Sequence, residues 1–513
     1  MKNSIGALLA AIVLAAAGCS APPEIVERGT VVENVTLISP VAPHETAGAY
    51  VLIQDGVIAR ISYDKAIKAA ETIDGSGKYL TPGLIDSHVH LRGDAGLRAD
   101  HAEAHPELVA AFYDQEPYSY LYFGFTTLVD LAQSEETASQ WRASEDYPDL
   151  IYCKRLNLAN GYGMAFTSED QKFSSPYFIY DEGQEDEIPS ATDLKQHTPV
   201  AVIQKVLQTN ASCVKTFHES GFGGLFDWPT PSDKLTGEIQ QLAAENGLVH
   251  VMHGNTTAAW RQAAVAKLDV IAHGLWHWEE FNSEEELPEG IIFILERIME
   301  NGVGVQLTSQ VIEGEIRAFD SAFLDTELLA HSLPQKLIDW HKSEDGAWFR
   351  ALMKKRLDSN PDIVEAFLGH APTGGDTETS ETAMRRIGQV AEYINKHGGL
   401  LLLASDSPSS PTFSNPPGLN GYLEMRAMAR FGLTPLEVLQ AATINNARAF
   451  KIADQVGVIE EGKRANLLLL DQNPLEDIAA YESIRLVIKG GKVFQREELS
   501  AMNRQGATMQ SAN

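Results

Sequence analysis

Cysteine is scarce in this 513-residue chain, and basic residues are few. Three cysteines, Cys19, Cys153 and Cys213, cannot build a disulfide scaffold. Lys and Arg total 40 against 70 Asp and Glu, a formal net charge of −30 at pH 7. Nucleic-acid binding in general uses basic residues to displace phosphate counterions, so the charge argues for no nucleic-acid partner. Two motifs are also missing: a G-x-S-x-G nucleophile elbow and a phosphate-binding P-loop. Hydrophobic residues make up 44% and charged residues 21%, a balance that excludes a wholly disordered or collagen-like chain.

The one long apolar stretch is at the start. Lys2 precedes an apolar run from Ile5 to Ala17, too short to span a bilayer as a mature helix. It ends in Leu14-Ala15-Ala16-Ala17-Gly18-Cys19. Small residues before a cysteine resemble a bacterial lipoprotein signal, which implies cleavage before Cys19 and its lipidation. An ordinary signal peptide with an incidental cysteine is the alternative. Loss of residues 1–18 removes Lys2 and no acid, leaving −31. Ser20, where an Asp would retain the protein at the inner membrane, points to the periplasmic side of the outer membrane. The expectation is a soluble body in the bacterial envelope that meets the membrane only through a lipid at Cys19. Cys153 and Cys213 sit in apolar, strand-like runs and read as buried free thiols. A disulfide in an oxidising compartment is the alternative.

Both ends of the body are β-rich. Residues 31–38 and 49–53 favour strands, Asp55-Gly56 is a tight-turn pair, and residues 465–471 and 484–493 have the same character. This predicts a small discontinuous β-sandwich built from residues 19–80 and 455–498, followed by a flexible tail over 499–513. The middle, residues 81–454, alternates apolar strand-like runs with helical stretches, the pattern of βα units. Eight such strands are expected to end near His88, Asp130, Leu158, Lys215, Met252, Ala272, Leu307 and Ser405. The fold class is therefore α/β, a (β/α)8 TIM barrel with its site at the C-terminal ends of the strands. Inserts interrupt the pattern around 160–200 and 309–398. Thr434-Pro435-Leu436-Glu437 signs the start of the last barrel helix with an N-cap, a proline and a capping-box Glu.

The sharpest chemistry is Asp86-Ser87-His88-Val89-His90. Residues two apart on a strand share a face, so both imidazoles point into the barrel as half of a metal site. His253, His273 and Asp406 fall at the ends of other strands. Lys215 ends the fourth strand after apolar residues, where an isolated ammonium is costly without a partner or a modification. His250 lies three residues before His253 and so faces the opposite way. Ser212 and Lys215 echo a Ser-x-x-Lys hydrolase pair, but that motif needs a helix to meet.

The chain resembles the metal-dependent amidohydrolase superfamily. The resemblance rests on Gly83-Leu84-Ile85-Asp86-x-His88-x-His90, Gly124-Phe125-Thr126-Thr127-Leu128-Val129-Asp130, the 432–443 helix, and Gly457-Val458-Ile459-x-x-Gly462-Lys463-Arg464-Ala465-Asn466-Leu467. Asn466 stands where that last motif usually has Asp. The branch it is most similar to is that of Xaa-Pro dipeptidases and imidazolonepropionases. The resemblance implies two divalent metal ions, with zinc the default and Mn, Fe or Co as alternatives. His88, His90 and Asp406 would hold one, His253 and His273 the other, and Lys215, carboxylated by CO2, would bridge them. It implies hydrolysis of an amide, dipeptide-like or cyclic amide bond, with Asp406 as general base and acid. Other readings on the same scaffold are a lactone or phosphotriester hydrolase, a mononuclear deaminase-like hydrolase with Lys215 unmodified, and, from a different class, an inactive binding lipoprotein.

Position nominates further residues. Tyr162 follows the third strand, His218 lies three residues past Lys215, and His277 lies four past His273; each is a candidate donor to a developing oxyanion. Arg92, just past His90, is a candidate clamp for a substrate carboxylate. Phe222, Phe226, Trp228, Trp276 and Trp278 would line the mouth. The partner is a small-molecule substrate, and a homo-oligomer is compatible with everything above.

Overall fold

Eight short apolar segments become parallel strands because both of their faces are buried, inside against one another and outside against helices. They are β1 (Leu84–Val89), β2 (Phe125–Asp130), β3 (Asp149–Arg155), β4 (Cys213–Phe217), β5 (Val249–His253), β6 (Val270–Ala272), β7 (Gly304–Gln306) and β8 (Leu401–Leu402). The computed structural model describes residues 23–504 apart from 94, 166, 223–225, 360–377 and 410–412. The expected signal segment, Cys19, the end of the tail and part of the 309–398 insert therefore lie outside the described residues. The strands pair in chain order from β1 to β8. The ring closes between its ends: Ser87 N–H donates to Leu403 O at 3.2 Å, Asp406 N–H to His88 O at 2.8 Å, and His90 N–H to Ser407 O at 2.9 Å. This is the expected TIM barrel.

Alternation along each strand sorts the side chains. Val129, Cys153, Cys213, Val249, Val251, Val270, Ala272 and Leu402 form one cluster in the barrel interior. Leu156 and Val214, of opposite parity, pack outward with Val202, Ile203 and Val206 of the flanking helix Pro199–Val206. Cys153 and Cys213 are not free thiols: they are joined by a disulfide. The physical reason is register. The two residues are direct partners on β3 and β4, with Cα atoms 4.3 Å apart and both side chains turned into the barrel. Register between strands is a tertiary property that neither apolar run reveals.

The ends of the chain form a mixed sheet of eight strands. Thr30–Ile38, Glu45–Gln54, Val57–Ser62, Glu71–Asp74 and Tyr79–Pro82 come from one end, and Leu467–Leu470, Ile484–Lys489 and Lys492–Gln495 from the other. Leu467–Leu470 pairs antiparallel with Tyr79–Pro82. It is one hydrogen-bonded sheet rather than two separate layers. Val51 and Ile488, from distant strands, share a core, so the sheet curls around its own apolar face. Asn466 ties it to the barrel: its Nδ2 donates to Asp149 Oδ2 at 2.8 Å and its Oδ1 accepts from Gly490 N–H. An aspartate at 466 would set two carboxylates against each other, which accounts for the amide here. Leu499, Ser500 and Ala501, expected to fray, are buried, and the helix Ala501–Arg504 places Arg504 over the Tyr118 ring. The capping box at Thr434 and Glu437 is present as expected.

Candidate metal centre and active site

Asp406 is the hub. Its Oδ1 lies 3.1 Å from His88 Nε2 and 2.9 Å from His90 Nε2, and its Oδ2 3.8 Å from His273 Nδ1. His88 and His90 reach it because they keep the period-two alternation of β1, and their rings lie 5.2 Å apart. His88 is buried and His90 half-buried. Asp406 and His273 reach it by another route. Both have left-handed backbones, with φ of 53° and 83°. Ala272, the last residue of β6, already faces the interior, so simple alternation would send His273 outward. The left-handed turn brings it back, at a conformational cost of the kind that functional sites hold. Thr308 Oγ1, 2.9 Å from His273 Nδ1, fixes the ring. The His253 ring is 4.3 Å from that of His273.

Lys215 points into the same space from β4. Its Nζ is buried and has no hydrogen-bond partner among the described residues, and burial pushes its pKa down to about 7. Burial pushes His88 down to about 3 and His253 and His273 below their ordinary values, which favours the neutral imidazole that binds metals. Burial also raises the Asp406 carboxyl, but the His88 and His90 rings outweigh it and hold the group well below the usual carboxylate range.

These observations test whether the residues suit divalent cations. Ligand atoms of His88, His273 and Asp406 all lie within 4.8 Å of one another. His253 Nε2 and Lys215 Nζ are buried without a hydrogen-bond partner among the described residues. Neutral imidazoles, a carboxylate and an orphaned lysine in one buried space are a donor set that fits such ions.

The structure sorts the remaining nominated residues. The Tyr162 ring lies 4.9 Å from that of His253, among Phe217, Phe222 and Trp228. Burial, then the charges of Asp406 and Glu219, raise its pKa, so the hydroxyl stays protonated. His277 is buried against Trp276 in a loop that bridges to Thr256 after β5, and burial lowers its pKa to about 4. His218 is not brought into the group. Its Nδ1 is 2.9 Å from Gln262 Oε1 on the helix Thr257–Ala266, toward the helical shell. Arg92 is not the expected clamp either. Its backbone is left-handed with φ 61°, which ends the alternation begun at His88. Its guanidinium bonds the Tyr113 carbonyl, pairs with the buried Glu116 at 3.7 Å and lies over the Tyr113 and Trp141 rings. Phe226 is exposed, while Trp278 is buried under Arg386. His250 faces outward, as expected, onto Thr216 Oγ1 and Gln240 Oε1.

One residue of the site was not nominated. Glu219 Oε2 is buried 3.6 Å from His253 Nε2, while Oε1 accepts from the Gly221 and Phe222 N–H groups. Burial pushes this carboxyl up, but His253 and those N–H groups outweigh it and hold it at about 2. The signal was available: Lys215, Phe217 and Glu219 share parity, and His218 does not.

Known proteins share the sequence pattern and the fold. The sequence profile of the amidohydrolase family matches residues 79–494. An imidazolonepropionase of Brevibacillus brevis is 25% identical over 459 residues, 87% of this chain and 89% of that protein. An ochratoxinase of Aspergillus niger is 36% identical over 106 residues, 20% of each chain. Among solved structures, a Xaa-Pro dipeptidase with bound methionine superposes with a TM-score of 0.60 at 18% identity, covering 91% of this chain and 99% of that one. Molinate hydrolase superposes with a TM-score of 0.63 at 16% identity, covering 92% and 96%.

Proposed function

Because this chain belongs to the amidohydrolase family, we propose that it is a metal-dependent hydrolase that cleaves an amide-type carbon–nitrogen bond in a small molecule. The observation that carries the reading is Lys215, a buried amine with no hydrogen-bond partner among the described residues, whose charge bears on His88, His253 and His273. Conversion to a carbamate turns that amine into an anionic oxygen donor. His88, His90 and Asp406 would hold one cation, His253 and His273 a second, with the Lys215 carbamate facing both. Zinc suits this donor set, and Mn, Fe or Co suit it too. When bound, such cations polarise a carbonyl and bring the pKa of water toward neutrality.

The chain's own groups do the rest. Asp406, an ionised carboxylate fixed between His88 and His90, takes the proton of the attacking water and returns it to the leaving nitrogen. Tyr162, kept protonated, donates toward the carbonyl oxygen as negative charge develops there; His277 is the second donor. The buried surround excludes bulk water and strengthens these interactions. Relatives named imidazolonepropionase, ochratoxinase and Xaa-Pro dipeptidase support this bond class.

We also propose an envelope location, lipid-anchored at Cys19. Support comes from inside the barrel: the Cys153–Cys213 disulfide suits an oxidising compartment.

The test is metal content per chain by plasma emission, with a hydrolysis screen of N-acyl amino acids, dipeptides and cyclic amides. About two metals and turnover of one of these classes are expected. A chain that takes up no metal on reconstitution and cleaves none of them would overturn the proposal.

A further inference from the structure

Arg155 is the last residue of β3 and the direct register partner of Lys215 on β4. Partners on parallel strands share a face, so the Arg155 side chain leaves the backbone toward the barrel interior, as Lys215 does. The Cys153–Cys213 disulfide, one step earlier on the same two strands, occupies the layer beneath. Arg155 is nevertheless exposed to solvent. An inward side chain that solvent reaches stands in the open mouth of the barrel. No hydrogen bond or ion pair engages its guanidinium among the described residues. Surrounding protein lowers its pKa, and the one charge effect on it comes from Tyr162. Arg92 and Arg317, by contrast, have acidic partners. Beside Arg155 stands an aromatic wall: Tyr162 packs 5.7 Å from Phe217, 5.3 Å from Phe222 and 5.4 Å from Trp228.

We propose that Arg155 is the substrate-recognition residue of this site, binding a free carboxylate, so that the substrates are N-acyl amino acids or dipeptides ending in an apolar residue. This rests on the reading of the barrel mouth as a hydrolase site. An unpaired guanidinium is a planar fork matched to a carboxylate, which it can bind through two parallel hydrogen bonds. The carboxylate at Arg155 would set the apolar side chain against the aromatic wall and turn the amide toward His253 and Asp406. The arrangement takes over the role that the sequence suggests for Arg92.

The test separates recognition from turnover. Calorimetric titration of the full chain, stripped of metals so that no cation can take the carboxylate, uses 3-phenylpropanoate and its neutral analogue 3-phenylpropan-1-ol. The acid is expected to bind about 10- to 100-fold more tightly, the range of charge-assisted hydrogen bonds, and Arg155→Gln to erase the difference while Arg155→Lys retains part of it. Equal binding of acid and alcohol, binding of neither, or a preference that survives Arg155→Gln would overturn the proposal. A preference erased by Arg155→Gln, in a protein whose metal-loaded form hydrolyses no amide, would leave the recognition role standing and overturn the hydrolase reading instead.

Discussion

Glu219 Oε2 stands 3.6 Å from His253 Nε2, and nothing else among the described residues bonds either atom. A carboxylate this close to a nitrogen that would face a cation adds negative charge beside that cation. Glu219→Gln is expected to weaken uptake of the second metal about 10- to 100-fold, the usual effect of losing such a neighbour. Competition with a chromophoric chelator measures it. Unchanged second-site affinity, with only a lower melting temperature, would reduce Glu219 to a brace for the turn at Gly221 and Phe222.

Lys215 gives a sharper result. Lys215→Ala is expected to lower bound metal from about two per chain toward one and to abolish turnover, since the proposed carbamate donor could not form. Plasma emission on wild type and variant side by side decides it. A variant that still binds two ions would show that Lys215 bridges nothing.

The disulfide makes a prediction about stability. Cys153 and Cys213 are 60 residues apart, and closing a loop of that length removes unfolded-state entropy worth about 4 kcal/mol in the chain-entropy model. The Cys153→Ser, Cys213→Ser double variant is expected to unfold at a lower temperature and lower denaturant concentration than the oxidised protein. Because the bond lies beneath Lys215 and Arg155, the variant also tests whether it holds their strands in place. Identical melting of oxidised and reduced wild type would show that the bond contributes nothing.

Acid sensitivity follows from Glu135. Its carboxylate accepts from Tyr152 Oη and from the backbone and side-chain amides of Asn210, linking the helix Glu135–Arg142 to β3 and the segment before β4. These bonds, Tyr152 first, hold its pKa at about 2. A depressed carboxylate contributes stability that is complete above its unfolded pKa, about 4.3, and is lost as pH falls through the folded value. Glu135→Gln is therefore expected to flatten the decline of the unfolding midpoint between pH 4.5 and pH 2. Parallel curves for wild type and variant would refute the assignment.

Much of the centre was legible in the sequence because strand alternation is a local rule. It places His88 with His90, sets His250 against His253, and marks Lys215 as an amine that needs an explanation. The same rule, followed four residues past Lys215, selects Glu219 over His218. It fails where the backbone turns left-handed: at Arg92 it no longer aims the side chain inward, and at His273 it would have aimed the ring outward.

The sequence by itself determined the family, the barrel with its β-rich ends, and the kinds of candidate ligand at the strand ends. The family follows from motifs spread along the chain, and the rest from periodicity, apolar runs and residue chemistry, which are properties of neighbours in the chain. The tertiary structure alone decided the Cys153–Cys213 bond, the pairing of Arg155 with Lys215, and the engagement of Arg92 by Glu116. Those depend on which residue of one strand stands opposite which residue of the next. Register of that kind is set by closure of the whole barrel and by no segment within it.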